Sequence, residues 1–380
     1  MSTPRTTFIL PLALIAALSG CGQASESPSS ANSAPALSDS ALAAVVAKPG
    51  VPRGDLARAI DSMFSDAAAG ETRALLVMSG GRIVAERYGA GYDANTRLTG
   101  WSMSKSVTGV LIGQLVSDGR LRLDETPPIP AWQRSGDPRG AITLRQLLQM
   151  RSGLRHTEMG SPIYRSDEVR MLFLDGRDNM AAYAEAQPLE AAAGRKWEYS
   201  SATSIILADL MARALTDSAD PEIRRAAVVD YMHTRLFEPL GMKSITAEFD
   251  AAGTMIGSSQ IHATARDWGR FGEFLRNGGA VQGAQVLPRG WIEFMTKPSP
   301  RNSGYGAQLW LNRPQPDGKV RLLPGIAPAS AFAAIGHLGQ YVFVSPQQGL
   351  TVVRLGHSDD DQRPRVLDHL GAIVRLFPKR

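Results

Sequence analysis

The 380-residue chain is 43% hydrophobic and 20% charged, a composition that is typical of globular proteins and excludes disorder or a fibrous structure for most of its length. Its formal net charge of +5 is modest, and the basic residues form no dense stripe with interleaved aromatic residues. These features argue against nucleic-acid binding, and the length allows two domains or one large domain with an insertion.

The first segment of the chain predicts an export signal. Residues 8–18 form an apolar run that is too short to span a membrane and is typical of a signal-peptide core. Residues 18–21 read Leu-Ser-Gly-Cys and resemble a bacterial lipoprotein cleavage box, in which Cys21 becomes the lipidated first residue. We therefore expect residues 1–20 to be a lipoprotein signal peptide. Cys21 would then anchor an exported protein to the membrane on the periplasmic side of the cell envelope.

Two neighbouring features refine this expectation. Gly22 after the cysteine offers no recognisable inner-membrane retention signal, which favours the outer membrane. Cys21 is the only cysteine, so intrachain disulfides and cysteine-based zinc sites are excluded.

Residues 22–52 are rich in Ala, Ser and Pro with almost no large apolar residues, which predicts a flexible tether. We expect residues 21–52 to form this lipidated linker and residues 53–380 to form the folded domain.

The predicted elements of the folded domain place strands near both ends of the chain. A helix is expected at 55–67, and two strands at 74–79 and 82–88 flank Gly80-Gly81, a suitable two-residue hairpin turn. Helical spacing then dominates at 106–117, 143–150, 201–215, 226–236 and 264–276. Strands follow at 305–312, 331–335, 341–344 and 349–355, and a last helix at 363–376. We predict an α+β fold whose two ends share one antiparallel sheet, flanked by helices, with a mainly helical inserted region.

The segment from Gly100 to Gly109 carries the most informative motif. Ser102 and Lys105 form a Ser-x-x-Lys pattern at the start of an apolar stretch. If a helix begins at Ser102, Lys105 lies one turn along on the same face, and its amine can reach the hydroxyl. A serine hydroxyl needs a neighbouring base, and a partly buried amine with a lowered pKa can accept its proton. In the alternative interpretation, Ser102 only caps the helix and Lys105 is solvated.

Two later segments can complete such a site. Tyr199 precedes the next apolar helix and could exchange a proton with the serine and lysine, if a cationic neighbour lowers the pKa of its phenol. Farther on, Gly336 and Gly339 flank a strand start, where a backbone can approach a ligand closely. The backbone N–H of Gln340 could complete an oxyanion hole there. Taken alone, Tyr199 could be a core or edge tyrosine, and the glycine-rich segment an edge strand.

Other hydrolytic chemistries lack their motifs. The nucleophile elbow of an α/β-hydrolase needs Gly-x-Ser-x-Gly, and the segment around Ser102 lacks the last glycine. The six histidines form no His-x-x-x-His pair and no cluster bracketed by carboxylates. We therefore predict neither a metal site nor a cofactor, and we interpret His156 and His233 as surface or structural residues.

The order of the three motifs resembles the class C β-lactamase-like serine hydrolases of the penicillin-recognising superfamily. Within that group it is most similar to the branch of esterases and 6-aminohexanoate-dimer hydrolases, over about residues 70–376. The resemblance implies a β-lactamase/transpeptidase-like fold. It also implies that Ser102 is the acylated nucleophile, that Lys105 and Tyr199 are the acid/base pair, and that the N–H groups of Ser102 and Gln340 form the oxyanion hole. Finally, it places His337 and Gly339 where β-lactamases have Lys-Thr/Ser-Gly, beside the substrate.

Two departures from this pattern bear on the substrate. Residues 199–201 read Tyr-Ser-Ser where β-lactamases have Tyr-x-Asn, and residues 337–339 read His-Leu-Gly. The missing Asn and Lys reduce the expectation of strong β-lactam hydrolysis but leave the acylation machinery complete. We predict a serine hydrolase that cleaves small carboxyl esters or linear amides through an acyl-enzyme on Ser102. A β-lactamase or D,D-peptidase acting on cell-wall-type amides, and a non-catalytic ligand-binding lipoprotein, are the alternatives; the sequence indicates no oligomeric state.

Overall fold

The computed structural model of the protein describes residues 37–379. The predicted signal peptide and the lipidation residue Cys21 lie outside the described residues. The helices of the described part are α1 (Asp39–Ala43), α2 (Arg53–Ser65), α3 (Ser104–Ser117), α4 (Leu144–Leu148), α5 (Asp167–Phe173), α6 (Met180–Glu185), α7 (Ser201–Leu215), α8 (Pro221–Met232), α9 (Glu238–Leu240), α10 (Ala265–Arg276), α11 (Arg289–Thr296) and α12 (Arg363–Leu376).

The strands of the described part fall into three sheets. They are β1 (Glu71–Ser79), β2 (Arg82–Tyr88), β3 (Leu98–Thr99), β4 (Thr246–Ala247), β5 (Ile261–Ala263), β6 (Ala280–Val281), β7 (Ala284–Gln285), β8 (Trp310–Leu311), β9 (Phe332–Gly336), β10 (Gln340–Ser345) and β11 (Leu350–His357). The main sheet has six strands in the order β2-β1-β11-β10-β9-β8, a second sheet has the order β3-β5-β4, and β6 pairs with β7.

The main sheet joins strands from the two ends of the folded domain, as the sequence predicts. Strand β1 pairs antiparallel with β11, so the first hairpin and the last hairpin share one sheet. The β1-β2 turn is Gly80-Gly81, and both glycines have positive φ, 58° and 82°, which is the backbone twist that a two-residue hairpin turn requires. The mixed helical and antiparallel β-lactamase/transpeptidase-like fold confirms the predicted class.

Helices cover both faces of this sheet. Alternate side chains of a strand point to opposite faces, and on β1 Leu76 and Met78 enter the core that contains α3, α7 and α10. Leu75 and Val77 enter the other core, which is built from α2 and α12. The helical region between the first and last strands therefore packs on one face, and helices α2 and α12 pack on the other.

Residues 37–52 belong to the folded domain, which contradicts the predicted flexible tether over this stretch. Val45 is buried, and the N–H of Val46 donates to the carbonyl of Val84, so the segment extends the sheet beside β2. The guanidinium of Arg53, the first residue of α2, donates to the Val45 carbonyl and so attaches the segment to this helix. Few apolar residues are enough to hold residues 37–52 on the domain, because the edge strand β2 offers unpaired backbone groups with which the segment can pair.

Within residues 37–379, no helix is both long and apolar enough to cross a membrane.

Candidate active site

Ser102 lies in a tight turn directly before a buried helix. The sequence predicts a helix over 106–117, and the α-helix starts two residues earlier, at Ser104, after a single 3-10 turn of Trp101–Met103. Trp101 has a φ of 48°, in the left-handed region that bulky residues rarely adopt. Such strained conformations cluster at functional sites, where the surrounding structure holds them in place. This turn directs the Ser102 side chain toward Lys105.

The amine of Lys105 is fully buried and has three oxygen partners. Its Nζ lies 2.9 Å from Ser102 Oγ, 2.9 Å from Ser201 Oγ and 2.9 Å from the carbonyl oxygen of Ser258. An ammonium group has three N–H donors and can serve all three oxygens. A neutral amine has two N–H donors and one lone pair. If Ser201 and Ser258 take the two donors, the lone pair points at the Ser102 hydroxyl, which is the arrangement that a general base needs.

The electrostatics of Lys105 differ from the sequence expectation. Burial alone would lower the pKa of the amine, but its electrostatic interactions with Tyr199, Glu158 and Glu168 outweigh burial and raise its pKa above the ordinary value. The expected lowered pKa is therefore wrong for the resting site, because the sequence showed no carboxylate near the lysine. The raised pKa favours the ammonium form of Lys105, which has to lose a proton before the amine can accept one from Ser102.

Tyr199 stands over the same amine. Lys105 Nζ lies 4.9 Å from the centre of the Tyr199 ring. The ring packs against Tyr305 and Trp310, with centroids 5.9 Å and 5.2 Å away. Burial raises the pKa of the Tyr199 phenol more than the nearby lysine lowers it. The expectation of a lowered phenol pKa is thus wrong, and the geometry suits a neutral phenol that donates a proton.

Ser201 and two glutamates form a layer behind Lys105 that the sequence did not reveal. Ser201 Oγ lies 2.7 Å from Glu158 Oε1 and 3.2 Å from Glu168 Oε1. The N–H of Ser201, at the start of α7, donates to Glu158 Oε2 at 2.8 Å. His156 Nε2 lies 2.6 Å from the same oxygen, so His156 is a buried structural residue. The only sequence signal was Ser201 itself, which stands in the Tyr-Ser-Ser motif where related enzymes have Asn.

The turn of residues 337–339 closes another side of the site. Leu338 and Gly339 have φ of 58° and 77°, and the Gly339 carbonyl accepts from the buried Arg354. His337 is exposed, and its ring meets the edge of the Trp101 ring at 5.5 Å, beside the nucleophile. The role of His337 and Gly339 beside a substrate stays a prediction.

Gln340 is buried at the start of β10, and its side-chain amide forms hydrogen bonds with the backbone of the protein. Its Nε2 donates to the carbonyls of His337, Leu338 and Gly356, at 3.0, 2.9 and 2.7 Å. The side chain thus pins the turn to β11. The proposed oxyanion role concerns the backbone N–H of Gln340, and it stays a prediction. Gly336 marks the closest approach of this region to the nucleophile turn, because a Cβ there would lie 2.2 Å from the carbonyl oxygen of Gly100.

The described residues, 37–379, contain no group of three or more His, Cys, Asp or Glu side chains that could hold a metal ion.

The comparisons with known proteins agree with this geometry. The chain is 26% identical over 232 residues to 6-aminohexanoate-dimer hydrolase from Paenarthrobacter ureafaciens; this match spans 58% of the chain and 56% of that relative, about half its length. Among solved structures, the fold is similar to a family VIII carboxylesterase (TM-score 0.61, 16% identity, 85% of this chain and 97% of that one). It is also similar to a penicillin-binding protein homologue from Caulobacter crescentus (TM-score 0.58, 18% identity, 84% and 95%). At these identities the structural matches establish the fold alone.

The family model described as Beta-lactamase matches residues 60–375, which include both halves of the main sheet, Ser102, Lys105 and Tyr199. This span covers most of the chain, and it agrees with the resemblance that the three motifs indicate. The chain therefore belongs to the beta-lactamase family of serine hydrolases.

Proposed function

We propose that this protein cleaves small carboxyl esters or linear amides through an acyl-enzyme on Ser102. The observation that carries the proposal is the 2.9 Å contact between Lys105 Nζ and Ser102 Oγ. The other two contacts of this buried nitrogen, with Ser201 and Ser258, leave its lone pair facing the hydroxyl once the amine is neutral. A binding protein has no need of such a base. The amide hydrolase among the relatives and the carboxylesterase among the similar folds support the substrate class.

The acylation step under this proposal uses three groups of the chain. Ser102 Oγ bonds to the substrate carbonyl carbon while its proton passes to the neutral Lys105 amine. The carbonyl oxygen becomes an oxyanion that backbone N–H groups near Ser102 stabilise. The Tyr199 phenol then donates a proton to the leaving alcohol or amine as the bond to carbon breaks, and Lys105 returns a proton to the phenol. Water repeats the steps in reverse order to release the acid and restore Ser102.

The substrate preference follows from what the site lacks. Ser201 occupies the place of the amide-binding Asn of β-lactamases, and its hydroxyl is committed to Lys105 and Glu158. His337 occupies the place of the carboxylate-attracting Lys and lies against Trp101. Neither residue offers the contacts that a bicyclic β-lactam with its carboxylate would use. Simple acyl groups and linear amides need only the serine, the base and the oxyanion site.

The test combines active-site labelling with a substrate panel. The purified folded domain is incubated with a fluorophosphonate, and mass spectrometry locates the adduct, which we expect on Ser102. Turnover of p-nitrophenyl esters, linear amide dimers and nitrocefin is then compared for the wild type, Ser102→Ala and Ser106→Ala. Ser106 is a matched control because it lies on the same helix and its hydroxyl donates to the Gln308 carbonyl.

Each outcome assigns the function. Esterase or amidase activity that is lost in Ser102→Ala and kept in Ser106→Ala supports the proposal. Efficient nitrocefin turnover with inert esters would favour the β-lactamase alternative. A chain that neither forms the adduct nor turns over any substrate would be a ligand-binding protein, and activity that survives Ser102→Ala would end the proposal.

We also propose that the protein is an exported lipoprotein anchored through Cys21, with the folded domain on the periplasmic side of the outer membrane. The support is the cleavage-box sequence at residues 18–21 and the absence of any other cysteine. Fractionation of bacteria that express the full chain should place it in the membrane fraction and release it with detergent. Cys21→Ala should move it to the soluble periplasmic fraction, and an unchanged membrane fraction would refute the anchor.

A further inference from the structure

The Ser201 hydroxyl has more polar neighbours than its single hydrogen can serve. Its Oγ lies 2.9 Å from Lys105 Nζ, 2.7 Å from Glu158 Oε1 and 3.2 Å from Glu168 Oε1. The lysine can only donate to this oxygen, so the one hydroxyl hydrogen is left for two carboxyl groups. The hydrogen points to one carboxylate at a time. The other carboxyl group either carries a proton of its own or faces the hydroxyl oxygen without a hydrogen between them.

The two glutamates are not equivalent. Glu158 has other donors, namely the Ser201 N–H at 2.8 Å and His156 Nε2 at 2.6 Å, and the start of α7 favours a negative charge there. Among residues 37–379, Glu168 has its one hydrogen bond with Ser201. Glu158 is thus built to stay ionised. Glu168 is the group whose charge depends on a proton exchanged with Ser201.

Three other titratable side chains lie around this layer, namely His156, Tyr199 and Tyr305. His156 Nδ1 is buried without a hydrogen-bond partner, and His156 Nε2 lies 2.6 Å from Glu158 Oε2. Burial raises the pKa of the Tyr199 and Tyr305 phenols, which keeps both neutral at physiological pH. Within the layer of Ser201, Glu158 and Glu168, the carboxyl whose pKa lies near neutral pH is that of Glu168.

We propose that Ser201 and Glu168 form a proton relay behind Lys105, which turns the resting ammonium into the neutral amine that acylation needs. Lys105 Nζ transfers a proton to Ser201 Oγ, while the Ser201 hydroxyl proton passes to the ionised Glu168 carboxylate. One N–H bond breaks, one O–H bond is exchanged on Ser201, and one O–H bond forms on Glu168. The total charge of the site is unchanged, so the relay moves a proton within the buried layer and creates no new charge there. The inference rests on the proposed acyl-enzyme function, and Glu168 acts in it as a positioning residue through Ser201.

The acidity of Glu168 suits this task. Burial and the negative charge of Glu158 raise its pKa to about 7, so protonated and ionised forms coexist near neutral pH. A group that exchanges protons most effectively has a pKa near the working pH.

A relay and a purely electrostatic role predict opposite effects of Glu168→Gln. The Glu168 charge raises the pKa of Lys105, so its removal alone would make the lysine easier to deprotonate and would speed acylation of Ser102. Loss of a relay would slow acylation, because the ammonium loses its proton acceptor. The sign of the change therefore separates the two roles.

The experiment measures the rate of Ser102 phosphonylation by a fluorophosphonate, followed by mass spectrometry, between pH 5.5 and 8.5. For the wild type we expect a rate that rises with pH and levels off above an inflection near 7, as Glu168 ionises. For Glu168→Gln and Ser201→Ala we expect a rate at pH 8 that is about tenfold to a hundredfold lower and has no inflection near 7.

Glu185→Gln is the matched control. Glu185 is a buried glutamate whose pKa is also raised to about 7, chiefly by burial, but its partner is Arg213 and not the lysine layer. This variant should keep the wild-type rate and inflection. Circular dichroism of all variants checks folding, and Glu168→Ala serves as a second removal of the carboxylate.

The outcomes separate this inference from the proposed function. If wild-type Ser102 forms no adduct, the acyl-enzyme proposal itself fails. If the wild type is labelled and folded Glu168→Gln and Glu168→Ala react as fast or faster with the same inflection, the relay is overturned while the acyl-enzyme function stands. If Glu185→Gln also loses the inflection, the pH dependence does not arise at Glu168, and the relay is again overturned.

Discussion

The Lys105 amine and the Ser258 backbone carbonyl lie 2.9 Å apart, although 153 positions separate the two residues in the chain. A backbone carbonyl accepts hydrogen bonds but cannot donate, so one N–H of the lysine always points at Ser258. With Ser201 as a second anchor, the third position of the nitrogen faces Ser102 in both protonation states. The orientation of the base is thus fixed before any substrate arrives.

Replacing Lys105 should abolish most of the activity. Lys105→Ala removes the general base, and we expect kcat/KM for a p-nitrophenyl ester to fall by roughly two to four orders of magnitude. Lys105→Arg should be equally inactive, because a guanidinium is not deprotonated in proteins and its fork does not fit three oxygens around one nitrogen. Lys243→Ala, at an exposed lysine, is the control and should retain full activity. A Lys105→Arg variant within a factor of three of the wild type would contradict the base assignment.

Tyr199→Phe tests the phenol separately from the ring. The phenylalanine keeps the packing against Tyr305 and Trp310 and removes only the proton that the leaving group needs. We expect kcat to fall by about tenfold to a hundredfold for esters with a poor leaving group and less for p-nitrophenyl esters, because p-nitrophenolate leaves without protonation. Stability should change little. Tyr305→Phe is the matched control in the same aromatic cluster, and an equal loss of activity in both variants would argue for a packing effect.

The sheet could be predicted from the sequence because its strands are buried and regularly patterned. Strands β9, β10 and β11 lie within one or two residues of their predicted bounds, and the final helix α12 matches its prediction. Of the predicted strand at 305–312, only Trp310–Leu311 (β8) form a strand, because Gln308 adopts a φ of 61° and the chain turns back there. Two-residue strands such as β3 carry no readable period and were missed.

The site was predictable only where its residues are close in sequence. Ser102 and Lys105 lie one turn apart, so they form a motif that can be recognised in the sequence. Glu158 and Glu168 lie in loops and short helices, where a carboxylate in the sequence looks like an ordinary solvated charge. Their contact with Ser201 depends on packing between segments more than thirty positions apart, which no local pattern encodes.

The stability of the protein should depend on pH through Glu185. Burial raises the pKa of this carboxyl from 4.5 to about 7. Between these values the folded protein holds a proton that the unfolded chain has released, so the free energy of unfolding falls as pH rises from about 4.5 to 7. A shift from 4.5 to about 7 corresponds to roughly 3 kcal/mol.

Urea unfolding at pH 5 and pH 8 measures this effect. Glu185→Gln cannot ionise, so we expect its loss of stability between the two pH values to be smaller than that of the wild type by about 2 kcal/mol. Glu222→Gln, at an exposed glutamate, is the control and should keep the wild-type difference. If the stability of Glu185→Gln depends on pH as strongly as that of the wild type, Glu185 is not the group that causes the pH dependence.

Two glycines on helices should respond in opposite ways to the same change. Gly113 lies within α3, and a Cβ there would lie 2.3 Å from Trp291 Nε1, the atom that donates to the Gly109 carbonyl at 3.0 Å. Gly113→Ala should therefore destabilise the protein by about 1–3 kcal/mol through overpacking, even though alanine favours helices. Gly290 lies in α11 with no atom within 4 Å of its Cβ position, and Gly290→Ala should stabilise by up to about 1 kcal/mol.

A double-mutant cycle identifies the cause of the first effect. Trp291→Leu removes the indole that the new methyl group meets, so in this background Gly113→Ala should cost much less than in the wild type. The two substitutions are in contact and should show a coupling energy of at least about 1 kcal/mol in urea unfolding. If Gly113→Ala costs the same in both backgrounds, the clash with Trp291 is not the reason for the glycine. If it costs less, the close approach of α3 and α11 is what the glycine permits, and this packing supports the helix that carries Lys105.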